Sequence, residues 1–245
     1  MQQIFVNSSP IDNIITVTGE DAHHLIKVVR LRVGERIRVS VSGTESYLCE
    51  VSKIFDKELI VSVVEPVEST ELKNKIYLFQ AVAKGDKLET IIEKSVELGV
   101  YEIIPVEMKN CVVKLDEKKR KNRLERYQAI SVSAARQSKR SIVPQVHEFM
   151  SFSEALEYAK RLDVLLLPFE SKNGMKDTYD VLDGIKCRDS IGVFIGPEGG
   201  FDSTEIDMVK DICRVISLGK RILRTETAAI ATMSMLMLKC EELQQ

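Results

Sequence analysis

The sequence predicts an α/β protein: a C-terminal domain with a mostly parallel sheet covered by helices, preceded by a small N-terminal β-barrel. Three observations predict it. Short Val- and Ile-rich runs separated by glycine and polar turns fill the first seventy residues, which is the pattern of short strands. From Ile76 onward, apolar runs of strand length alternate with stripes of helical period, the order expected of a parallel sheet buried on both faces. Near the C terminus two glycine-bearing loops each follow such a run, the place where open α/β sheets bind ligands.

At 245 residues the chain can bury a substantial core in one large domain or two. No apolar run approaches the roughly 20 residues that span a bilayer. The start, MQQIFVNSSP, has neither the basic nor the apolar region of a secretory signal. The five cysteines are scattered and form no CxxC, so neither a disulfide framework nor a zinc site is expected, and a reducing cytoplasm is. A net charge of −2 argues against indiscriminate nucleic-acid binding while allowing a local basic face.

In chain order, strands are expected at Ile4–Val6, Ile14–Val17, Arg36–Val41, Ser46–Phe55 and Glu58–Val67, with turns at Ser42-Gly43-Thr44 and Asp56-Lys57. One helix interrupts them near Glu20-Asp21, whose carboxylates suit a helix N-terminus; Ala22, Leu25, Ile26 and Val29 follow at helical spacing. Small barrels of this kind often bind RNA. Adjacent His23 and His24 point in different directions on a helix and lack a third ligand nearby, so no metal is expected there. The segment to Glu35 has two readings: a helix closed by a turn at Gly34, or a face on which Lys27, Arg30 and Arg32 contact phosphates.

The polar stretch Pro66–Asn74 is expected to link a domain of residues 1–70 to one of residues 75–245. Ile76–Ala83 reads as a buried strand. The next helix carries Leu88, Ile91, Ile92, Val96 and Leu98 on one face and ends at Gly99. Ile103–Val106 is the following strand. Lys114, Lys118, Lys119, Arg120, Lys121, Arg123 and Arg126 then crowd onto one segment, followed by Arg136, Lys139 and Arg140. Such a run is either a solvated helix face or a phosphate-binding surface. A helix over Phe152–Arg161 leads into the strand Asp163–Pro168. Glu170–Arg188 is expected to be an exposed loop with a helix around Tyr179–Leu182.

The last stretch is the most informative. Ile191–Ile195 empties into Gly196-Pro197-Glu198-Gly199-Gly200, and a helix starts near Ser203. Val215–Leu218 empties into Gly219-Lys220-Arg221-Ile222-Leu223-Arg224, after which Thr225-Glu226-Thr227 opens a helix to about Cys240. Neither loop is a GxGxxG or Walker loop, so a dinucleotide or nucleoside triphosphate is poorly supported. The final helix is apolar nearly all round, as for a helix buried within an assembly.

GPEGG and LGKRILRTETA at this distance closely resemble the signature of the RsmE-type 16S rRNA uridine N3-methyltransferases, of the SPOUT (trefoil-knot) superfamily. The resemblance covers nearly the whole chain, including HHLIKVVRLRVG at 23–34, Lys84-Gly85-Asp86, Glu97-Leu98-Gly99-Val100 and Gln137-Ser138-Lys139-Arg140. It implies a knotted C-terminal domain, a PUA-like N-terminal barrel, a homodimer, and S-adenosylmethionine as methyl donor. The implied substrate is 16S rRNA in the small ribosomal subunit, methylated at N3 of the uridine at position 1498.

By the same resemblance, Leu167, Gly196, Leu218, Gly219, Ile222, Leu223 and Thr227 would hold the cofactor. Glu198 would accept the N3 proton or hydrogen-bond the base, and Arg224 would stabilise charge developing on the uracil; alternatively, Arg224 and Glu226 only brace the loop and cap the final helix. Lys27, Arg30, Arg32, Lys114, Lys119, Arg123, Arg126 and Arg140 would contact RNA. The chain departs from the family pattern at Gln3 and Asn110, where arginines are usual, and at Ser133 and Arg136, where glutamates are common. A non-catalytic RNA-binding module keeping the fold, or a methyltransferase for another rRNA or tRNA site, are the competing readings.

Overall fold

The structure is a computed structural model that describes residues 1–41, 43, 45–169 and 174–245. The expectations at Ser42, Thr44 and the start of the Glu170–Arg188 loop fall on residues outside that description. The chain forms two compact units, residues 1–71 with 135–143, and residues 72–134 with 144–245.

In the first unit, β1 (Gln3–Val6), β2 (Ile14–Val17), β3 (Arg36–Val41), β4 (Glu45–Ile54) and β5 (Leu59–Val67) form a sheet in the order β1-β3-β4-β5-β2. Its pairings are antiparallel except for parallel β1–β3. Strand alternation sends Ile37, Val39, Val51, Leu59 and Val61 inward, where they pack with Ile4 and Val17. Each such side chain contributes roughly 1.5–3 kcal/mol on burial. Bulges in the β4–β5 ladder near Cys49 and Lys53 bend the sheet. The strand reaches Val67, so the expected linker loses its first two residues to β5; Pro66 pairs opposite Tyr47, beyond the stretch that β2 covers, where a proline leaves no neighbour short of a donor.

The expected single helix of this unit has two parts. α1 (Gly19–His23) continues as a π-helical stretch, His24–Val29, and stops at Arg30 in the left-handed conformation (φ 60°). Ala22 and Leu25 are buried against the sheet, whereas His23, His24, Lys27 and Val28 face solvent.

In the second unit, β6 (Lys75–Ala81), α2 (Lys87–Glu97) and β7 (Val100–Glu107) follow in order, then α3 (Glu117–Gln137), whose last turn belongs to the first unit. Gly99 closes α2 with φ +87°, a conformation costly for any residue with a Cβ. Then come β8 (Gln145–Val146), β9 (Met150–Ser151), α4 (Phe152–Ala159), β10 (Val164–Pro168), α5 (Met175–Asp183), β11 (Ser190–Ile195), α6 (Ser203–Val209), β12 (Arg214–Ile216) and α7 (Thr225–Glu242). The sheet runs β12-β10-β11-β6-β7-β8, with β9 also on β7, and all its pairings are parallel. Its strands are buried on both faces, which is why they read as unbroken apolar runs. Phe79 and Phe194 stack at 4.4 Å in the core, with Phe152 edge-on to Phe194 at 5.9 Å.

α7 buries Ala229, Thr232, Met233, Leu236 and Cys240, leaves Leu238 65% exposed, and holds Ile230, Met235 and Met237 half-buried. No helix among the described residues is long and apolar enough to cross a membrane.

Candidate active site

Strand order creates the site. β10 lies between β11 and β12, so the loops leaving β11 and β12 open on either side of the end of β10. Their backbone and side chains line a cavity of about 1040 Å³ at the C-terminal ends of these strands, as expected for ligand sites in open α/β sheets.

Both loops are held by specific contacts. α6 begins with a capping box: Asp202 accepts from the Thr204 amide at 3.0 Å, and Glu205 accepts from the Asp202 amide at 2.9 Å. Asn110 donates to the carbonyls of Gly199 and Gly200. A Cβ at Gly196 would lie 2.9 Å from the Phe201 ring, so only glycine lets the ring close over the turn. Gly219 adopts φ +101°, which turns the second loop back toward the cavity.

Beneath the loops, Gln80 is fully buried at the end of β6 and donates from Nε2 to Thr225 Oγ1 at 3.0 Å. The Thr225 hydroxyl in turn donates to the Gly196 carbonyl at 2.7 Å. One chain of hydrogen bonds thus ties the start of α7 to the first glycine loop.

Glu198 faces the cavity. Its Oε1 accepts from Lys87 Nζ at 2.9 Å and from the Lys84 amide at 3.3 Å. Burial pushes this carboxyl up, but the Lys87 ammonium and the backbone donors outweigh it and hold the group below the usual carboxylate range. Arg224 also lines the cavity.

Of the residues singled out in the sequence, Gly196, Glu198, Leu218, Gly219, Ile222, Leu223 and Arg224 come together around this cavity. Leu167 does not. It is 1% exposed within the core cluster, because strand alternation turns it away while its neighbour Pro168 lines the space. Thr227 is exposed outside the lining, whereas Thr225 and Ala228 are within it, since each residue turns the helix by about 100°. Lys87, Phe169, Met175 and Phe201 line the cavity without having been singled out. Lys87 carried one local signal: a cation at the first residue of a helix, where the dipole disfavours it.

The basic residues divide differently. Lys27, Arg30 and Arg32 are exposed on the first unit, with Lys27 3.0 Å from Asp56. On the second unit, Lys114, Lys119 and Arg126 are exposed and Arg123 is half-buried; Lys119 pairs with Asp116 at 2.9 Å, and Arg126 with Glu89 at 2.7 Å. Arg140 is a correction to the expected RNA-contacting set. It is 4% exposed, and its guanidinium is paired with Glu71, Nε lying 3.1 Å from Oε2. Glu71 also accepts from the Ser141 amide at 2.7 Å, and the Arg140 carbonyl accepts from Gln3 Nε2 at 2.6 Å. A side chain locked into this buried network is not available to a phosphate. Three of the four departures have structural roles too: Gln3 belongs to that network, Arg136 pairs with Asp21 at 2.6 Å, and Asn110 braces the GPEGG turn.

Comparison with known proteins agrees with this architecture. The family model described as RNA methyltransferase domain matches residues 70–237, and the one described as RNA methyltransferase PUA domain matches residues 17–65. Ribosomal RNA small subunit methyltransferase E of Bacillus subtilis is 35% identical over 224 residues, covering 89% of this chain and 88% of that protein. Its namesake from Mesomycoplasma hyopneumoniae is 36% identical, covering 94% of this chain and 96% of that protein. The crystal structure of the Neisseria gonorrhoeae enzyme of the same name, bound to S-adenosyl methionine, superposes with a TM-score of 0.83 at 26% identity, covering 97% of each chain. The chain belongs to the ribosomal RNA small subunit methyltransferase E family, RNA methyltransferases with a PUA-like N-terminal domain.

Proposed function

We propose that this protein is an S-adenosylmethionine-dependent methyltransferase acting on N3 of a single uridine in 16S rRNA, the one at position 1498, presented by the small ribosomal subunit. The observation that carries this reading is the juxtaposition of Glu198 and Arg224 across one cavity walled by both glycine loops. The cavity suits the cofactor: it is large enough for a nucleoside with a side chain, and Leu218, Ile222 and Leu223 offer apolar cover for a purine. Ile222 is 93% exposed, an apolar side chain whose burial by a bound ring would be favourable. S-adenosylmethionine would supply an electrophilic methyl on a sulfonium, whose carbon–sulfur bond breaks with its electron pair going to sulfur as a neutral thioether leaves.

The protein's own residues do the rest. Glu198, held ionised, accepts the N3 proton as the nitrogen lone pair forms its bond to the methyl carbon, and positioned general bases of this kind contribute roughly 10²–10⁴-fold. Arg224 offsets the negative charge spreading onto the uracil oxygens. Exposed Lys27, Arg30 and Arg32 on the first unit and Lys114, Lys119, Arg123 and Arg126 on the second contact rRNA phosphates.

The order β12-β10-β11 supports threading of the final segment into a trefoil knot. The half-covered apolar face of α7 supports a homodimer. Acting on small-subunit rRNA, the protein would work in the cytoplasm.

The test is transfer of labelled methyl from S-adenosylmethionine to small subunits from cells lacking this protein, followed by mapping of the modified base. Label at one uridine N3 is expected, and Glu198→Gln should abolish it while sparing cofactor binding. Near-normal turnover by that variant would remove Glu198 as the base, and label on another nucleotide would overturn the assigned target.

A further inference from the structure

Lys87 is the first residue of α2, where the helix dipole repels a cation, so its position is not explained by helix stability. Its Nζ lies 2.9 Å from Glu198 Oε1 and 3.7 Å from Glu226 Oε2, and it lines the same cavity. Two carboxylates thus share one ammonium. Glu226 Oε2 is buried and has no hydrogen-bond partner. The other charged or titratable groups around the pair are Arg224 in the loop before α7 and the Cys111 thiol after β7, while the Lys84 amide adds a backbone donor.

We propose that Lys87 is the positioning residue of this active site: its ammonium aims Glu198 into the cavity and stops Glu198 and Glu226 from sharing a proton. The inference rests on the role given to Glu198 above. Without the ammonium, two neighbouring carboxylates resist ionising together, and one of them takes up a proton. The depressed titration of Glu198 and the raised one of Lys87, each caused chiefly by their mutual hydrogen bond once burial is overcome, agree with this geometry.

The experiment compares Lys87→Met, Lys87→Arg and Glu198→Gln on intact small subunits. Lys87→Met is expected to lower kcat by about 10-fold or more, to leave the Kd for S-adenosylmethionine within about 2-fold, and to move the acid limb of the kcat/KM profile up by about 1–3 pH units. Lys87→Arg should restore most of the rate and the limb. An unmoved acid limb in Lys87→Met, or a rate that Lys87→Arg does not restore, would overturn the inference even if Glu198→Gln is inactive. An active Glu198→Gln would instead sink the reading on which it rests.

Discussion

Asn110 donates from Nδ2 to the carbonyl oxygen of Gly200 at 3.1 Å, joining the segment after β7 to the turn that presents Glu198. A second, longer bond reaches Gly199 at 3.4 Å. Asn110 therefore acts as a brace for the turn that carries Glu198.

Asn110→Ala should loosen that turn while leaving the fold intact. Because the bond is exposed, the expected loss of global stability is about 1 kcal/mol or less, whereas kcat should fall several-fold as Glu198 loses its orientation. Urea unfolding alongside steady-state methyl transfer checks both. Equal, small effects on the two would show that the brace has no bearing on catalysis.

The Gln80–Thr225–Gly196 chain makes a second prediction. Thr225→Val removes the hydroxyl between a buried amide and a backbone carbonyl: the Gly196 carbonyl loses this donor and Gln80 Nε2 keeps only its 3.2 Å bond to the Ala81 carbonyl, at a cost of about 1–3 kcal/mol. Affinity for S-adenosylmethionine should weaken in parallel, as the Gly196 backbone is freed at the cavity wall. Thr225→Ser keeps the hydroxyl and should recover both, as read by thermal melts and calorimetry.

Arg140 and Glu71 form a nearly buried pair, with side-chain exposures of 5% and 16%. Removing one partner strands the other, so Arg140→Met alone should destabilise by roughly 3–5 kcal/mol. Arg140→Met with Glu71→Leu should recover much of that loss. Denaturant unfolding of the four-member cycle measures the coupling, and additive losses would contradict the buried-pair description.

Lys119 and Arg126 behave oppositely. Both are exposed, at 67% and 64% of the side chain, so Lys119→Ala with Arg126→Ala should leave stability within about 1 kcal/mol. Binding to rRNA should weaken, and the slope of log K against log salt should become shallower by about 1 for each phosphate no longer neutralised. An unchanged slope would place the RNA elsewhere.

Much of this protein was legible in its sequence because the relevant signals are local. Glycine at 196, 199, 200 and 219, apolar runs of strand length, and caps such as Asp202 with Glu205 act within a few residues. Val- and Ile-rich runs likewise marked β3 and β5. Where sequence and structure differ, a short-range signal was ambiguous. A helix that widens into a π-helical stretch at His24 keeps the same apolar spacing, and a proline inside the end of β5 looks like a linker.

The sequence by itself determined most of the strands and helices and the two loops that carry Glu198 and Arg224, since these follow from periodicity, turn chemistry and backbone freedom; the two-residue strands β8 and β9 are too short to show a period. Only the tertiary structure decided which distant residues join them. Lys87 meets Glu198 across 111 positions, and Gln80 meets Thr225 across 145, because the order β12-β10-β11-β6 brings strand ends together that no local rule pairs. It also separated the arginines: Arg126 remained at the surface, whereas Arg140 met Glu71 in a nearly buried pair. A side chain's charge is written in the sequence, but its solvation and its partners are set by packing.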